Sequence, residues 1–194
     1  MINVGILIFD EVEVLDFAGP FEVFSIATDD NAVKLFNVNL IAESNRITTA
    51  RNGLKVLPDY TLQEANEIDV LIIPGGSGAE TVEFKNEALL KWIIETNKKT
   101  MITASVCTGA IILAASELLD NRKATTHWMD LDRLKNDYPS VQVIANTKYV
   151  EDGKFITSGG ISAGINMSLY IIEKLFGKEA ALNTAKRMEY DVTF

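Results

Sequence analysis

Short apolar runs alternate with helical patterns along this chain, and that alternation limits its possible folds more than any other feature. Ile2–Phe9 and Asp69–Ile73 are nearly continuous apolar runs, which is typical of strands buried on both faces of a parallel sheet. Asn86–Asn97 and Ala163–Phe176 instead place apolar residues at helical spacing. Strands that alternate with helices predict right-handed crossovers, and therefore an α/β fold in which helices cover both faces of a mainly parallel sheet.

The remaining elements fit the same plan and add two hairpins. One hairpin is predicted around Arg51-Asn52-Gly53 and one around Glu151-Asp152-Gly153, because Asn-Gly and Asp-Gly favour tight turns between strands. The flanking and other predicted strands are Ile47–Ala50, Leu54–Leu57, Lys148–Val150, Phe155–Thr157, Leu35–Ala42, Thr100–Val106 and Lys123–Thr126. The other predicted helices are Phe21–Ala27 after Gly19-Pro20, a helix opened by Thr108, Met129–Asp137 and Glu179–Tyr190. No linker or repeat interrupts them, so we expect residues 1–194 to form a single domain.

The composition narrows the cellular setting. One cysteine among 194 residues excludes an internal disulfide and is typical of a reducing compartment. The N-terminal run has neither a basic region nor a cleavage site, and no apolar stretch approaches the ~20 residues that span a bilayer. The net charge of −9 comes from scattered acidic residues, which disfavours a nucleic-acid surface. We therefore expect a cytoplasmic protein that acts on a small molecule, without nucleic-acid or membrane partners.

Cys107 lies where a short apolar strand meets a helix. The strand, Thr100–Val106, has β-branched and small residues and no charge, and Thr108 opens the helix. The sulfur then faces the amide dipoles of the helix N-terminus, which favour thiolate over thiol. This pattern predicts a nucleophile elbow with Cys in place of Ser. The alternative is that Cys107 is a small buried core residue.

Asp16 lies between Leu15 and Phe17, an apolar neighbourhood for a carboxylate. One interpretation is that Asp16 is a helix N-cap. The other is a partly desolvated acid whose pKa is raised and which faces the sulfur of Cys107. Because two adjacent anions repel, the acid and the thiol would then titrate together as a pair.

Two Gly-rich turns are expected to meet Cys107 at the carboxyl edge of the sheet, where sites gather in such folds. Gly75 and Gly76 can present backbone N–H groups to a developing negative charge, with the Thr108 N–H as partner. The second turn, Ser158-Gly159-Gly160, fits close helix–sheet packing better than a catalytic role.

His127 is the only histidine and ends a predicted strand at the same edge. It is either a hydrogen-bonded structural residue or a neighbour of Cys107. One His and one Cys cannot assemble a typical zinc site, so no metal is expected.

Several motifs together resemble the ThiJ/PfpI superfamily, whose fold is similar to that of class I glutamine amidotransferases. The family's order and spacing are found in LDFAGPFEVF, IIPGG, SVCTGAIILAASELLDNRKATTHW and GGISAGIN, nearly from end to end. Within the superfamily the chain looks most like the isonitrile hydratase branch and the amidase-like domains of AraC-type regulators, which Asp16 and Thr108 match. The deglycase and chaperone branch has Glu at the position of Asp16, and the intracellular peptidase branch has His at that of Thr108. The resemblance implies a flavodoxin-like three-layer sandwich.

The same resemblance implies a reaction. Cys107 would be the nucleophile, Asp16 the proton donor, and Thr108 the residue whose hydroxyl orients the proton-transfer group or the water. The Cys107 thiolate would add to the terminal carbon of an isonitrile, and water would convert the resulting thioimidate to an N-substituted formamide. No organic cofactor or metal is required. Relatives are commonly dimers, so we expect a homodimer.

Two other functions stay open. One is a different cysteine hydrolase or amidase, with His127 as its base. The other is a non-catalytic ligand or redox sensor related to the regulator domains, in which Cys107 is only an oxidisable thiol.

Two departures from the family pattern bear on these alternatives. Many relatives carry Asp where this chain has Asn166, which puts in doubt any role for a second carboxylate there. The regulators continue into a helix-turn-helix domain whereas this sequence stops at Phe194, so we expect no DNA binding of that kind.

Overall fold

Strands and helices alternate along the chain as its apolar patterns predict. The computed structural model describes residues 1–65 and 67–192, and the predicted domain boundary at residue 194 lies outside them. The strands are β1 (Ile2–Leu7), β2 (Phe36–Ala42), β3 (Thr48–Thr49), β4 (Lys55–Val56), β5 (Tyr60–Thr61), β6 (Val70–Ile73), β7 (Ile102–Ser105), β8 (Lys123–Ala124), β9 (Gln142–Val143), β10 (Tyr149–Asp152) and β11 (Phe155–Ser158). The α-helices are α1 (Val14–Ile26), α2 (Ser77–Thr81), α3 (Glu87–Asn97), α4 (Gly109–Ala115), α5 (Leu131–Asp137), α6 (Ala163–Phe176) and α7 (Lys178–Arg187).

Seven strands form one sheet in the order β10-β11-β7-β6-β1-β2-β5. Neighbouring strands are parallel except β10 and β11, which form one of the two predicted hairpins. Four adjacent strands carry a row of fully buried apolar residues in register, which runs through Ile6, Ile72, Ala104 and Ile156. The chain leaves β1 for β2 on one side and later returns to β6 on the other side of β1. The strand order therefore reverses at β1, and a site is expected at the carboxyl ends of these strands.

Two groups of helices pack on this sheet. In one, α1, α6 and α7 contact each other, and in the other, α3 and α5 contact α4. This arrangement confirms the predicted α/β sandwich with a mainly parallel sheet. None of the described helices is long and apolar enough to cross a membrane.

The first helix begins earlier than the sequence predicts. The Gly19-Pro20 pair suggested a start near Phe21, but α1 begins at Val14 and encloses Pro20. Pro20 cannot donate the usual hydrogen bond to the carbonyl four residues earlier. Burial of the apolar face that includes Phe17 and Phe24 compensates for that loss.

Short elements account for the other differences. The predicted helix at Met129–Asp137 is a 3₁₀ turn, Trp128–Asp130, followed by α5. The strand before His127 shrinks to β8, which pairs with β9 in a separate two-stranded sheet. The β3–β4 hairpin is confirmed, and Asn52 in its turn has a φ of 61°. Both β5 and α2 are too short to leave a periodic pattern in the sequence.

Candidate active site

Four adjacent strand ends meet at the carboxyl edge of the sheet. β11, β7, β6 and β1 are neighbours, and the turn or helix that follows each of them contributes a residue to the same place. Hydrogen bonds join each neighbouring pair, among them Cys107 N–H to the Gly159 carbonyl (3.2 Å), Gly76 N–H to Thr108 Oγ1 (2.9 Å), and Gly75 N–H to Asp16 Oδ2 (3.0 Å). The residues predicted to share this edge are therefore linked through the backbone.

Cys107 occupies a strained turn between β7 and α4. Its φ is 56°, in the left-handed region that non-glycine residues rarely adopt. The turn is held on both sides, because the Cys107 N–H donates to Gly159 and the Thr126 hydroxyl donates to the Cys107 carbonyl at 2.8 Å. Cys107 is 7% exposed. The predicted elbow geometry is confirmed, and Thr126 is a supporting residue that the sequence analysis did not single out.

Asp16 is fully buried beside this elbow. Its Oδ2 accepts the Gly75 N–H, while its Oδ1 has no hydrogen-bond partner among residues 1–65 and 67–192. Burial is the main cause that raises the pKa of Asp16 to about 7, and the Glu13 carboxylate adds to the rise. The hydrogen bond from the Gly75 N–H acts in the opposite direction and lowers the pKa. The Cys107 thiol and the Ile161 N–H also face the carboxyl and favour its ionised form. A desolvated acid is therefore the correct interpretation of Asp16.

The N-cap alternative for Asp16 is wrong. Asp16 lies in the first turn of α1, and the N-cap position belongs to Glu13. The backbone before Val14 is extended, so the helix starts two residues ahead of Asp16 and directs its carboxyl toward the strand ends.

The Cys107 thiol does not behave as the helix N-terminus alone predicts. Burial raises the pKa of the thiol and the Asp16 carboxylate raises it further, whereas the N–H groups of Thr108 and Ile161 lower it. The favourable dipoles are present, but desolvation outweighs them. The balance of these effects raises the thiol pKa, contrary to the depressed value that the helix dipoles predict, and the acid and the thiol titrate as a coupled pair.

Gly75 and Gly76 serve the site differently from the prediction. Their N–H groups donate to Asp16 and to Thr108, so neither is directed at a developing charge on a substrate, and the predicted oxyanion role is corrected. A Cβ atom at Gly75 would lie 2.5 Å from both the N and Oγ1 atoms of Thr108, which explains why no side chain fits there. The turn holds the acid in place.

Thr108 is buried and its hydroxyl is committed to the same turn. Oγ1 accepts the Gly76 N–H at 2.9 Å and lies 3.4 Å from the Gly76 carbonyl. The hydroxyl therefore fixes the segment that holds Asp16. Thr108 is a positioning residue through its side chain, and it faces the sulfur through its N–H.

His127 packs on Gly160 beside the elbow, and its Nδ1 faces neighbours along the chain. Its Nδ1 accepts the Met129 N–H at 3.3 Å and is 3.6 Å from Asp130 Oδ2. The ring covers Gly160, where a Cβ atom would lie 2.0 Å from His127 Cδ2. No hydrogen bond joins His127 to Cys107 within the described part of the chain. His127 supports the turn beside the site.

Ile161, like Thr126, is a residue of this site that sequence reasoning missed. Its N–H faces both the Cys107 sulfur and the Asp16 carboxyl. Its φ is 53°, a strained conformation for a β-branched residue that its surroundings must enforce. The available signal was the Ser158-Gly159-Gly160 turn, which directly precedes Ile161 and was assigned to packing alone.

Comparison with known proteins gives this arrangement a family. The sequence model of the DJ-1/PfpI family matches residues 3–174. The chain belongs to the DJ-1/PfpI family. An isonitrile hydratase from Pseudomonas putida is 32% identical over 190 residues, which cover 97% of this chain and 78% of that protein. A crystal structure of a ThiJ/PfpI family protein from Pseudomonas syringae has a TM-score of 0.86 and 25% identity, and the match covers 99% of this chain and 76% of that one.

A transcriptional regulator is also similar to this DJ-1/PfpI chain. The HTH-type transcriptional regulator CdhR of Pseudomonas aeruginosa is 26% identical over 181 residues. The match covers 93% of this chain but 53% of the regulator, so the chain spans about half of the regulator's length.

Asn166, at the position where the family resemblance implies Asp, has a structural partner. Its Oδ1 accepts the Tyr190 hydroxyl at 3.1 Å, which ties α6 to the segment after α7. Among the described residues, no group of three or more His, Cys, Asp or Glu side chains is arranged to hold a metal ion.

Proposed function

We propose that this DJ-1/PfpI protein is a cysteine-dependent hydro-lyase that adds water to an isonitrile and releases an N-substituted formamide. The observation that carries the proposal is the burial of the Asp16 carboxyl against the Cys107 thiol, which are 0% and 7% exposed, and this burial raises the pKa of both groups. The similarity to the isonitrile hydratase of Pseudomonas putida supports the same reaction for this chain.

The chemistry of an isonitrile matches a site that holds one mobile proton. The terminal carbon of an isonitrile accepts a nucleophile and a proton at the same atom. The Asp16 carboxylate takes the thiol proton as the Cys107 sulfur adds to that carbon, and Asp16 then passes the proton to the carbon. One C–S bond and one C–H bond form, the S–H bond breaks, and the carbon–nitrogen triple bond becomes a double bond. The product is a thioimidate, and Asp16 is again a carboxylate.

Water completes the reaction at the same carbon. Asp16 removes a proton from water while the oxygen adds to the thioimidate carbon, and Asp16 then passes that proton to the nitrogen. Collapse of this adduct breaks the C–S bond, forms the C=O bond of the N-substituted formamide, and moves the hydroxyl proton through Asp16 to the Cys107 sulfur. One water molecule is consumed and the thiol is regenerated, so the cycle balances without a cofactor.

Amide hydrolysis is less well supported by the same geometry. That reaction develops an oxyanion and depends on N–H donors directed at it. The N–H groups of Gly75 and Gly76 are already paired inside the protein. His127, the base that an amidase would need, accepts the Met129 N–H with its Nδ1. Isonitrile addition creates no oxyanion in its first step and uses Asp16 for proton transfer.

A sensor function is the second candidate, and the similarity to the regulator CdhR favours it. In that function Cys107 binds a ligand, or is oxidised by an oxidant, and releases no product. A sensor and an enzyme therefore differ in whether Cys107 completes repeated reaction cycles.

One experiment separates these functions. Purified protein is offered an alkyl isonitrile and a panel of small amides, with Cys107→Ala and the near-isosteric Cys107→Ser as controls whose folding is checked by thermal unfolding. Formamide production by the wild-type protein alone supports the hydratase. Amide turnover with no formamide would establish the amidase instead. Absence of both products contradicts the hydratase and leaves the sensor.

We also propose that the protein is a cytoplasmic homodimer, on the resemblance to dimeric relatives and the single cysteine. Sedimentation velocity at micromolar concentration tests the assembly. A monomer under those conditions contradicts it.

A further inference from the structure

Glu13 and Arg51 form an ion pair beside the Cys107 site, and the reaction described above does not use it. Arg51 lies in the turn of the β3–β4 hairpin, and its Nη1 is 2.8 Å from Glu13 Oε2. The Glu13 side chain is 18% exposed and the Arg51 side chain 51%. Glu13 is the N-cap residue of α1, yet its side chain makes no capping hydrogen bond. The carboxylate is directed to the hairpin instead of to its own helix.

Backbone hydrogen bonds connect this pair to Asp16. The Glu13 N–H donates to the Gly75 carbonyl at 2.9 Å, and the Gly75 N–H donates to Asp16 Oδ2 at 3.0 Å. The Arg51 N–H donates to the Val12 carbonyl at 2.9 Å. The hairpin turn is thus joined, through the segment before α1 and the Gly75 turn, to the carboxyl that transfers protons.

The charge of Glu13 also reaches Asp16 through space. Burial raises the pKa of Asp16, and the Glu13 carboxylate contributes to the rise. Among the described residues that shift the pKa of Asp16, the other titratable group is the Cys107 thiol, while His127 packs on Gly160. The Arg51 guanidinium is paired with Glu13, so it partly neutralises that charge.

We propose that Arg51 is a positioning residue for the Asp16–Cys107 pair: through Glu13 it holds the Gly75 turn against Asp16 and limits the negative charge that this carboxyl experiences. The role rests on the proposed function, because only a reacting Asp16 makes its protonation important for turnover. The Arg51 side chain is half exposed, and such a solvent-screened ion pair contributes little to folding, so neutralising Arg51 leaves the protein folded.

Alkylation of Cys107 by iodoacetamide tests this role without any isonitrile. The chain has one cysteine, so every alkylation event reports Cys107. In the wild-type protein the rate rises as Asp16 ionises near pH 7, because its carboxylate then takes the thiol proton while the sulfur is alkylated. Arg51→Gln leaves the Glu13 charge unbalanced and moves this inflection up by roughly half a pH unit to one unit. Glu13→Gln removes the charge and moves it down by a similar amount.

A double variant and a matched control sharpen the test. If Arg51 acts through Glu13, Arg51→Gln produces no further shift in the Glu13→Gln background. Arg46→Gln is the control, because Arg46 precedes the same hairpin and pairs with Asp10 at 2.6 Å instead of with Glu13. It leaves the inflection unchanged. Salt near 1 M reduces the Arg51→Gln shift, since the Debye length falls to ~3 Å.

The outcomes separate this inference from the proposed function. An unshifted inflection in folded Arg51→Gln, or a shift that persists when Glu13 is already neutral, overturns the role of Arg51. The absence of any inflection between pH 5 and 9 in the wild-type protein overturns it as well. Absence of formamide with all predicted alkylation shifts present overturns the hydratase alone.

Discussion

Asp10 lies in the connection from β1 to α1 and Asp16 in the first turn of α1, and the protein places their carboxyls in opposite environments. Asp10 accepts hydrogen bonds from the Arg46 guanidinium and from the Thr49 N–H, and these lower its pKa below the usual value. Asp16 is buried with one N–H donor, and burial raises its pKa to about 7. Two carboxyls so close in sequence therefore differ because one has a cation and solvent and the other has neither. The first can only anchor a loop, whereas the second can carry a proton at neutral pH.

The surroundings of the two carboxyls are also separate. Asp10 and Arg46 line a cleft of about 340 Å³ at the ends of β1 and β2, together with the acidic residues Glu43 and Glu83. Cys107 and Asp16 are not among the residues that line it. This cleft therefore borders the ion-paired carboxyl, whereas Asp16 and Cys107 are 0% and 7% exposed.

The largest expected effect is on turnover and distinguishes the two carboxyls directly. Asp16→Asn keeps the shape but cannot transfer a proton, so we expect formamide production to fall by roughly 10²–10⁴-fold, below detection in an ordinary assay. Asp16→Glu moves the carboxyl by about one methylene and leaves a trace of activity, because misplacement by ~1 Å costs ~10²-fold. Asp10→Asn stays close to the wild-type rate. Steady-state kinetics of the three variants check this, and a damaging Asp10→Asn would contradict it.

The second effect is on stability and has opposite signs at the two positions. Because the folded-state pKa of Asp16 is raised, its contribution is fully present below the unfolded pKa near 4 and is lost as the pH rises through about 7. Asp16→Asn cannot ionise and does not lose stability in this way. The free energy of unfolding of the variant relative to wild type therefore increases by roughly 2–4 kcal/mol as the pH rises from 4 to 8.

Asp10 provides the comparison for that measurement. Its lowered pKa stabilises the fold above the unfolded pKa, and this contribution disappears as the pH falls through the folded pKa. Asp10→Asn therefore destabilises at neutral pH, by less than about 1 kcal/mol because the side chain is 45% exposed. Urea unfolding of both variants at several pH values tests the signs. Equal pH dependence of the two variants would refute the contrast.

A smaller effect is expected from Thr108. Thr108→Val leaves the buried Gly76 N–H without its acceptor, which costs about 1–3 kcal/mol of stability and loosens the turn that holds Asp16. We expect turnover to fall about 10-fold with KM nearly unchanged, a loss that corresponds to ~1.4 kcal/mol. Thr108→Ser retains the hydroxyl and restores most of the rate. A Thr108→Ser variant as impaired as Thr108→Val would mean that the methyl group, and not the hydroxyl, is what the site needs.

The smallest effect is expected from His127. The imidazole covers Gly160 and accepts the Met129 N–H, so His127→Ala removes support for the Gly160–Ile161 turn but no proton carrier. We expect a loss of no more than about 10-fold, far below that of Asp16→Asn. The kinetics of the two variants measured side by side decide the reaction. A dominant effect of His127 with an expendable Asp16 would identify an amidase-type Cys–His pair.

Local sequence patterns were sufficient to predict the central strands and the elbow at Cys107. Continuous apolar runs predict β1 and β6, because a central parallel strand is buried on both faces and leaves that pattern whatever its partners are. The strand–Cys107–helix transition is equally local, and the left-handed φ of Cys107 confirms it. The motifs around Asp16 and Thr108 were also sufficient for the family, which the comparison with known proteins confirms.

Tertiary structure alone decided the chemical properties of the site. The Gly75 N–H pairs with a carboxylate 59 positions away, and the Gly76 N–H with a hydroxyl 32 positions away, so their loss as oxyanion donors has no local signal. The thiol pKa followed the same logic, because the helix dipole is local but burial and the Asp16 charge come from distant segments. Backbone pattern depends on neighbours along the chain, whereas desolvation and hydrogen-bond partnership depend on neighbours in space. For that reason the sequence could identify Cys107 and Asp16, but only the folded chain determined how they share a proton.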